Sequence, residues 1–468
     1  YRRQRQMCIR DRHETVSLHC DTAMDLLTED GTGELKEVQT LEPGETLQIA
    51  ADSTLFETAN RIYARPQALS AKTTVDSILR NGKTPVYPGN FEIEKTGEGF
   101  LLINELALED YLRFVVPSEM PASYPAEALK AQAVCARTYA YMHMLHAGLQ
   151  NYGAHVDDSA AFQVYNNIAE ASETSEAVYE TKGQMLLSGG TPVTAYFYST
   201  SCGYGTDLTA WNLTYGDEMA ATGGYLRARN IAKGQMLSDT QNPDAHSSDA
   251  QESAEGSKLA EEDSFATFIK TADADSFEQE DTYYRWRYDT ALDTELLLAN
   301  LQVRYEKSPG NIRRKKGNGY VDEKPEKLGM VTGLTAVKRT TGGVMTELLI
   351  EGTEDTYRVC GEQNIRYVLA GENTEIALSA DYSKKGTING MLPSSFFVIE
   401  PVYETDDGIS TEKAKEAPVV ISYTLYGGGF GHGIGMSQNA ARRMAQAGYD
   451  YKQILQFFYE CSIEGVNE

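Results

Sequence analysis

One stretch constrains this chain most: Leu108–Tyr141, reading LEDYLRFVVPSEMPASYPAEALKAQAVCARTYAY. Its apolar run Phe114, Val115 and Val116 reads as a strand, broken by Pro117 and Ser118, with Glu119 directly after the break. Met120 and Pro121 close over that residue, and Pro125 opens an Ala-rich helix from about Ala126 to His146. Proline suits a first helical turn, because the N–H it lacks has no helical partner there. Leu129, Ala133, Ala136 and Ala140 give the helix a narrow apolar stripe of small residues that admits close neighbours. Glu119 then has two readings. It is a surface residue in a turn, or it is a carboxyl beside buried apolar surface. In the second case burial disfavours the charged form, which is the state a general acid needs.

A second block lies near the C-terminus, GFGHGIGMSQNAARRMAQAGYDYKQILQFFY. The two blocks in this order resemble the SpoIID/LytB family of bacterial cell-wall proteins. The first follows that family's pattern VVPSEMPxxxPxEALKAQAVxARTYA at nearly every position. Weaker similarity covers most of residues 85–230 and 330–463. The resemblance implies a lytic transglycosylase that cuts peptidoglycan glycan strands, with the catalytic glutamate at Glu119. It implies a domain outside the cytoplasmic membrane, usually behind an N-terminal anchor. It also implies an alternative, a non-catalytic wall-binding module that enhances a partner amidase.

A glycosidase usually needs two carboxylates, whereas a lytic transglycosylase works with one. The C6 hydroxyl of the muramic acid attacks C1 and closes a 1,6-anhydro ring, so no second acid has to place a water. Glu109 and Asp110 are the neighbouring carboxylates. They read as surface or capping residues at the far end of the expected strand, roughly six residues of about 3.3 Å away. By resemblance, Lys130, Gln132 and Arg137 line or support the site. Lys130 and Arg137 are seven apart and share a helix face, but Gln132 sits about 200° around from Lys130. Arg137 reads equally as half of a buried ion pair. In Gly427–Gln438, glycines precede a helix N-terminus that favours negative charge. His432 there either contacts a sugar, holds Glu119, or is structural, and Ser437 and Gln438 either face the site or cap the helix. Some relatives carry a Cys, His and Cys set before a QVY motif. Here Asp157, Ala161 and Phe162 occupy those positions, so no zinc and no other cofactor is expected.

A chain of 468 residues exceeds one ordinary core. The expected class is α+β, with mixed β-rich lobes around the Ala-rich helix and a substrate groove between it and the Gly-rich block. The expected divisions are a doubtful, disordered start (1–12), a small β-rich lobe (13–84), a first catalytic part (85–232), a flexible acidic insertion without chemistry (233–282) and a second lobe (283–468). SPGNIRRKKGNGYVDEKPEK reads as an exposed loop, and GVMTELLIEG with the strand before it as a hairpin about Thr341–Gly342–Gly343. The net charge of −26 excludes nucleic acid as a general partner. The expected partners are peptidoglycan glycan strands and other wall hydrolases or amidases. No run of about 18 apolar residues crosses a membrane, and an anchor preceding Tyr1 is expected from the resemblance. Cys8, Cys20, Cys135, Cys202, Cys360 and Cys461 contain no CxxC pair and read as buried apolar residues.

Overall fold

The structure, a computed structural model, describes residues 5–29, 32–57, 59–80, 82–146, 149, 153–158, 162–211, 224–233, 258–271, 275–404 and 420–466. It divides into two units, Tyr1–Ala195 with Cys461–Glu468, and Tyr196–Glu460. Both are mixed α and β, built on antiparallel sheets.

The first unit carries a seven-stranded sheet in the order Val156–Asp157, Arg5–His13, Gly99–Leu106, Asn90–Thr96, Arg61–Pro66, Met24–Glu29, Leu35–Leu41. Arg5–His13, expected within a disordered start, pairs antiparallel with Gly99–Leu106. The hairpin Asn90–Thr96/Gly99–Leu106 turns at Gly97–Glu98. A four-stranded sheet adds Thr46–Ile49, Val16–Cys20, Thr73–Val75 and Val86–Tyr87. Val16, Leu18 and Cys20 alternate inward and join one apolar core with Ile62, Phe91 and Leu102.

Helices cover this core. The expected strand before Glu119 is instead helix α1, Leu108–Glu119. Tyr111, Leu112, Val115 and Val116 are fully buried along it, a spacing of four that fits a helical turn and not a strand. Pro117 lies in the last turn, where it ends the helix within two residues. Helix α2, Ala126–His146, is buried on every side from Ala131 to Ala140, not along a single stripe. Its alanines permit that, since small side chains let neighbours approach all round. Helix α3, Ser172–Glu180, packs on α1 and α2.

The second unit holds two five-stranded sheets. One runs Gly319–Val321, Ile312–Lys316, Thr356–Cys360, Met345–Gly352, Val331–Arg339; the other Lys384–Ile388, Thr374–Leu378, Trp286–Thr290, Val420–Gly427, Phe397–Tyr403. The Thr341–Gly343 hairpin forms as expected. The stretch read as an exposed loop is a hairpin, Ile312–Lys316 with Gly319–Val321. Its Arg313 and Lys315 alternate with Ile312, which enters the core. Within 233–282, helix α4, Glu262–Lys270, buries Phe265 and Ile269, and Glu278 is buried; residues 234–257 and 272–274 lie outside the described residues. Helices α5 (Thr294–Lys307) and α6 (Glu362–Val368) back the first sheet. Helices α7 (Gln438–Gln446) and α8 (Tyr451–Phe458) follow the Gly-rich block, and Gly448 ends α7 with φ +95°.

Candidate functional site

Glu119 is the last residue of α1 and is partly buried. A loop at residues 163–166 fixes that helix end. The Val164 N–H donates to Glu119 Oε1 at 2.7 Å, and the Asn166 N–H donates to Ser118 Oγ at 3.1 Å. Ser118 Oγ in turn donates to the Phe114 carbonyl at 2.7 Å, taking up one of the last helical acceptors.

The loop is itself held. Gln163 is buried and its Nε2 donates to the Ala136 carbonyl of α2 at 3.2 Å. The Tyr165 ring stacks 5.9 Å from each of Tyr87, Tyr111 and Phe114. Burial raises the Tyr165 phenol well above its ordinary range, and pushes Tyr87 up to about 12. A rigid aromatic stack thus sets the backbone N–H that orients Glu119. The QVY sequence was the available signal, although the expectation about it concerned metal rather than this clamp. Among the described residues no three His, Cys, Asp or Glu side chains come together as metal ligands; Ala161 lies outside them.

Glu109 does not sit beside Glu119. On a helix, ten residues separate them by roughly 15 Å of rise. Glu109 instead makes a bidentate pair with the fully buried Arg137, Nε–Oε1 2.8 Å and Nη2–Oε2 2.8 Å. Arg137 also donates to the carbonyls of Val178 and Gln184, at 3.1 and 3.3 Å. Of its two sequence readings, the structure has the buried ion pair, which ties α1, α2, α3 and the strand Gln184–Ser188 together. Lys130 shares the α3-facing side, as the seven-residue spacing predicts. Its Nζ lies 2.7 Å from Glu127 and 2.7 Å from Glu180. Those hydrogen bonds raise its pKa. With Tyr124, Leu129, Glu176 and Ala177 it lines a surface pocket of about 260 Å³. Gln132 is buried.

His432, Ser437 and Gln438 belong to the second unit. His432 Nε2 lies 3.0 Å from the Phe197 carbonyl, and its Nδ1 accepts from the Ile434 N–H at 3.1 Å. A carbonyl only accepts, so Nε2 carries the proton and both ring nitrogens are used by the backbone. The ring keeps an edge toward solvent but is closely surrounded. Burial, then the charge of Arg366, lowers its pKa to about 3, against a smaller upward pull from the Phe197 carbonyl. Ser437 is the N-cap of α7, with Oγ accepting from Ala440, and Gln438 opens that helix. Gly435 is needed at φ +77°, since a Cβ there would strike the Tyr196 carbonyl.

Glu278 was missed, because it falls in the acidic stretch assigned no chemistry. It is fully buried. Its Oε1 accepts from the Ser201 N–H at 2.9 Å and from Ser437 Oγ at 2.6 Å, and Oε2 accepts from Ser201 Oγ. Burial pushes its pKa up to about 7, against those donors. No local sequence signal distinguishes it from its solvated neighbours.

The helix pair and its clamp belong to a mixed α+β fold, and comparison with known proteins places part of the chain in a family. Residues 96–187 match the Stage II sporulation protein (SpoIID) family, and residues 225–435 match a domain of unknown function, DUF8618. The amidase enhancer of Bacillus subtilis (strain 168) is 26% identical over 406 residues, 86% of this chain and 46% of that protein. Stage II sporulation protein D of the same organism is 37% identical over 123 residues, 23% of this chain and 36% of that protein. An uncharacterized protein of Brachyspira hyodysenteriae is 36% identical over 135 residues, 29% of this chain and 36% of that protein. The chain thus spans less than half the length of each of these relatives. Its residues 96–187 are a SpoIID-family segment.

Proposed function

We propose that this protein is a peptidoglycan lytic transglycosylase acting outside the cytoplasmic membrane, with Glu119 as its single acid and base. The supporting observation is the arrangement around that carboxyl: Val164 N–H fixes Oε1, while Glu109, at the far end of the same helix, is committed to Arg137. Glu119 gives its proton to the glycosidic oxygen as the C1–O bond breaks. As carboxylate it then takes the proton of the muramic acid C6 hydroxyl as that oxygen bonds to C1. The intramolecular nucleophile supplies the effective concentration. Lys130 flanks the substrate in this reading. Arg137 and Gln132 support the helix that carries the site, and His432, Ser437 and Gln438 hold the Gly-rich segment in shape.

A second reading, a wall-binding module that raises the rate of a separate amidase, is favoured by the extent of the match to the amidase enhancer. Digestion of purified glycan strands separates the two. An enzyme releases 1,6-anhydro ends alone, and Glu119→Gln abolishes them. A module releases none and accelerates an added N-acetylmuramoyl-L-alanine amidase.

A further inference from the structure

The loop that meets Glu119 is anchored at its start through α2. The Gln163 amide donates to the Ala136 carbonyl, and the Phe162 ring lies edge-on to His143 with ring centres 5.1 Å apart. Tyr165 anchors the middle of the loop by its stack. The far end is held by Asn167. The Val86 N–H donates to Asn167 Oδ1 at 2.9 Å, and Asn167 Nδ2 donates to the Val86 carbonyl at 2.8 Å. One side-chain amide thus meets both polar groups of one backbone residue, as a neighbouring strand would. Val86 is itself fixed. It belongs to Val86–Tyr87, the edge strand of the four-stranded sheet, in register with Thr74. The next residue, Tyr87, stacks on Tyr165. The same short strand therefore grips the loop twice, once by a ring and once by its backbone.

Backbone shape explains why this residue is asparagine. Asn167 has φ +53°, in the left-handed region that most side chains avoid and asparagine tolerates. Glycine accepts this φ but has no amide. Glutamine has the amide but not the tolerance. The turn at Asn167 follows directly on the two donors that reach the end of α1, the Val164 N–H on Glu119 Oε1 and the Asn166 N–H on Ser118 Oγ.

We propose that Asn167 is a positioning residue for Glu119: by latching the end of the loop to Val86, it holds the Val164 N–H in place, and with it the carboxyl that this N–H orients. The proposal rests on the reading of Glu119 as the reacting acid and base. Asn167 acts through the loop backbone and not on the reacting atoms. A catalytic group misplaced by about 1 Å loses about a hundred-fold in rate, so the latch bears on turnover more than on substrate binding.

Asn167→Gly is the informative variant, because it keeps the turn and removes both hydrogen bonds. Amide hydrogen exchange of the full chain is read by mass spectrometry on peptides spanning residues 163–166. It should quicken at least about ten-fold in the variant, with the peptides of α2 unchanged. On purified glycan strands, kcat for release of 1,6-anhydro ends should fall about ten- to a hundred-fold while KM stays within about two-fold. Unchanged exchange in Asn167→Gly overturns the latch, whatever the activity. Faster exchange with an unchanged kcat overturns the positioning role. A wild type that releases no 1,6-anhydro ends removes the reading of Glu119 instead, and the exchange result still decides whether Asn167 holds its loop.

Discussion

Replacing Glu278 by Gln tests the buried hydrogen-bonded group most sharply. Its side chain is fully buried, and three donors from Ser201 and Ser437 point at it. Burial nevertheless wins, and the pKa rises from the usual 4.5 to about 7. The sign follows from linkage. Below pH 4.5 the group is protonated in both folded and unfolded chains and costs nothing. As pH rises through 4.5 toward 7, the unfolded chain gives up its proton while the folded one holds it, so stability falls. At about 1.4 kcal/mol per pH unit the loss comes to about 3 kcal/mol by pH 8. Glu278→Gln mimics the neutral acid at every pH. The two tryptophans, Trp211 and Trp286, both lie in the second unit. Urea unfolding followed by their fluorescence therefore reports this unit. Between about pH 4 and about pH 8 the variant should gain about 3 kcal/mol relative to wild type. A difference that stays flat with pH refutes the reasoning. A wild type more stable than the variant at pH 8 would mean that the three donors outweigh burial.

Four further outcomes follow from the same contacts. Arg137→Met leaves Glu109 without its partner and should cost the first unit about 3–5 kcal/mol in denaturant unfolding, with Glu109→Gln/Arg137→Met recovering part of the loss. His432 acts oppositely to Glu278: its pKa is lowered to about 3. Its contribution is complete above pH 6.5 and declines as pH falls toward 3, and His432→Phe should remove that decline from the fluorescence-detected stability. Tyr165→Leu opens the aromatic stack and should cost about 1–3 kcal/mol; if the clamp orients Glu119, glycan cleavage falls in kcat more than in KM. Gly435→Ala, forced into φ +77° against the Tyr196 carbonyl, should lower the thermal midpoint by several degrees.

Much of the fold was legible because local patterns agreed with it. Turn glycines marked the hairpin at Thr341–Gly343, and the alanine content marked α2. The error at α1 has a physical source. Val115, Val116 and Pro117 carry strand and breaker propensities, yet Leu108, Tyr111, Leu112, Val115 and Val116 hold the helical period, and burial decides over propensity. Arg137 stayed ambiguous because an arginine facing a groove and one facing a buried acid look alike until the acid's position is known. Glu278 was invisible, since its environment is made by Ser201 and Ser437, distant in sequence. The basic strip at Arg313–Lys316 was read as a loop because its charges hid the alternation about Ile312.

The most direct test of the account is the mass spectrum of purified glycan strands after incubation with the wild type and with Glu119→Gln. Abundant 1,6-anhydromuramic ends from the first, and only background from a folded second, are the expected pair. Equal release by both proteins, or none from the wild type, would contradict a mechanism carried by that one carboxyl.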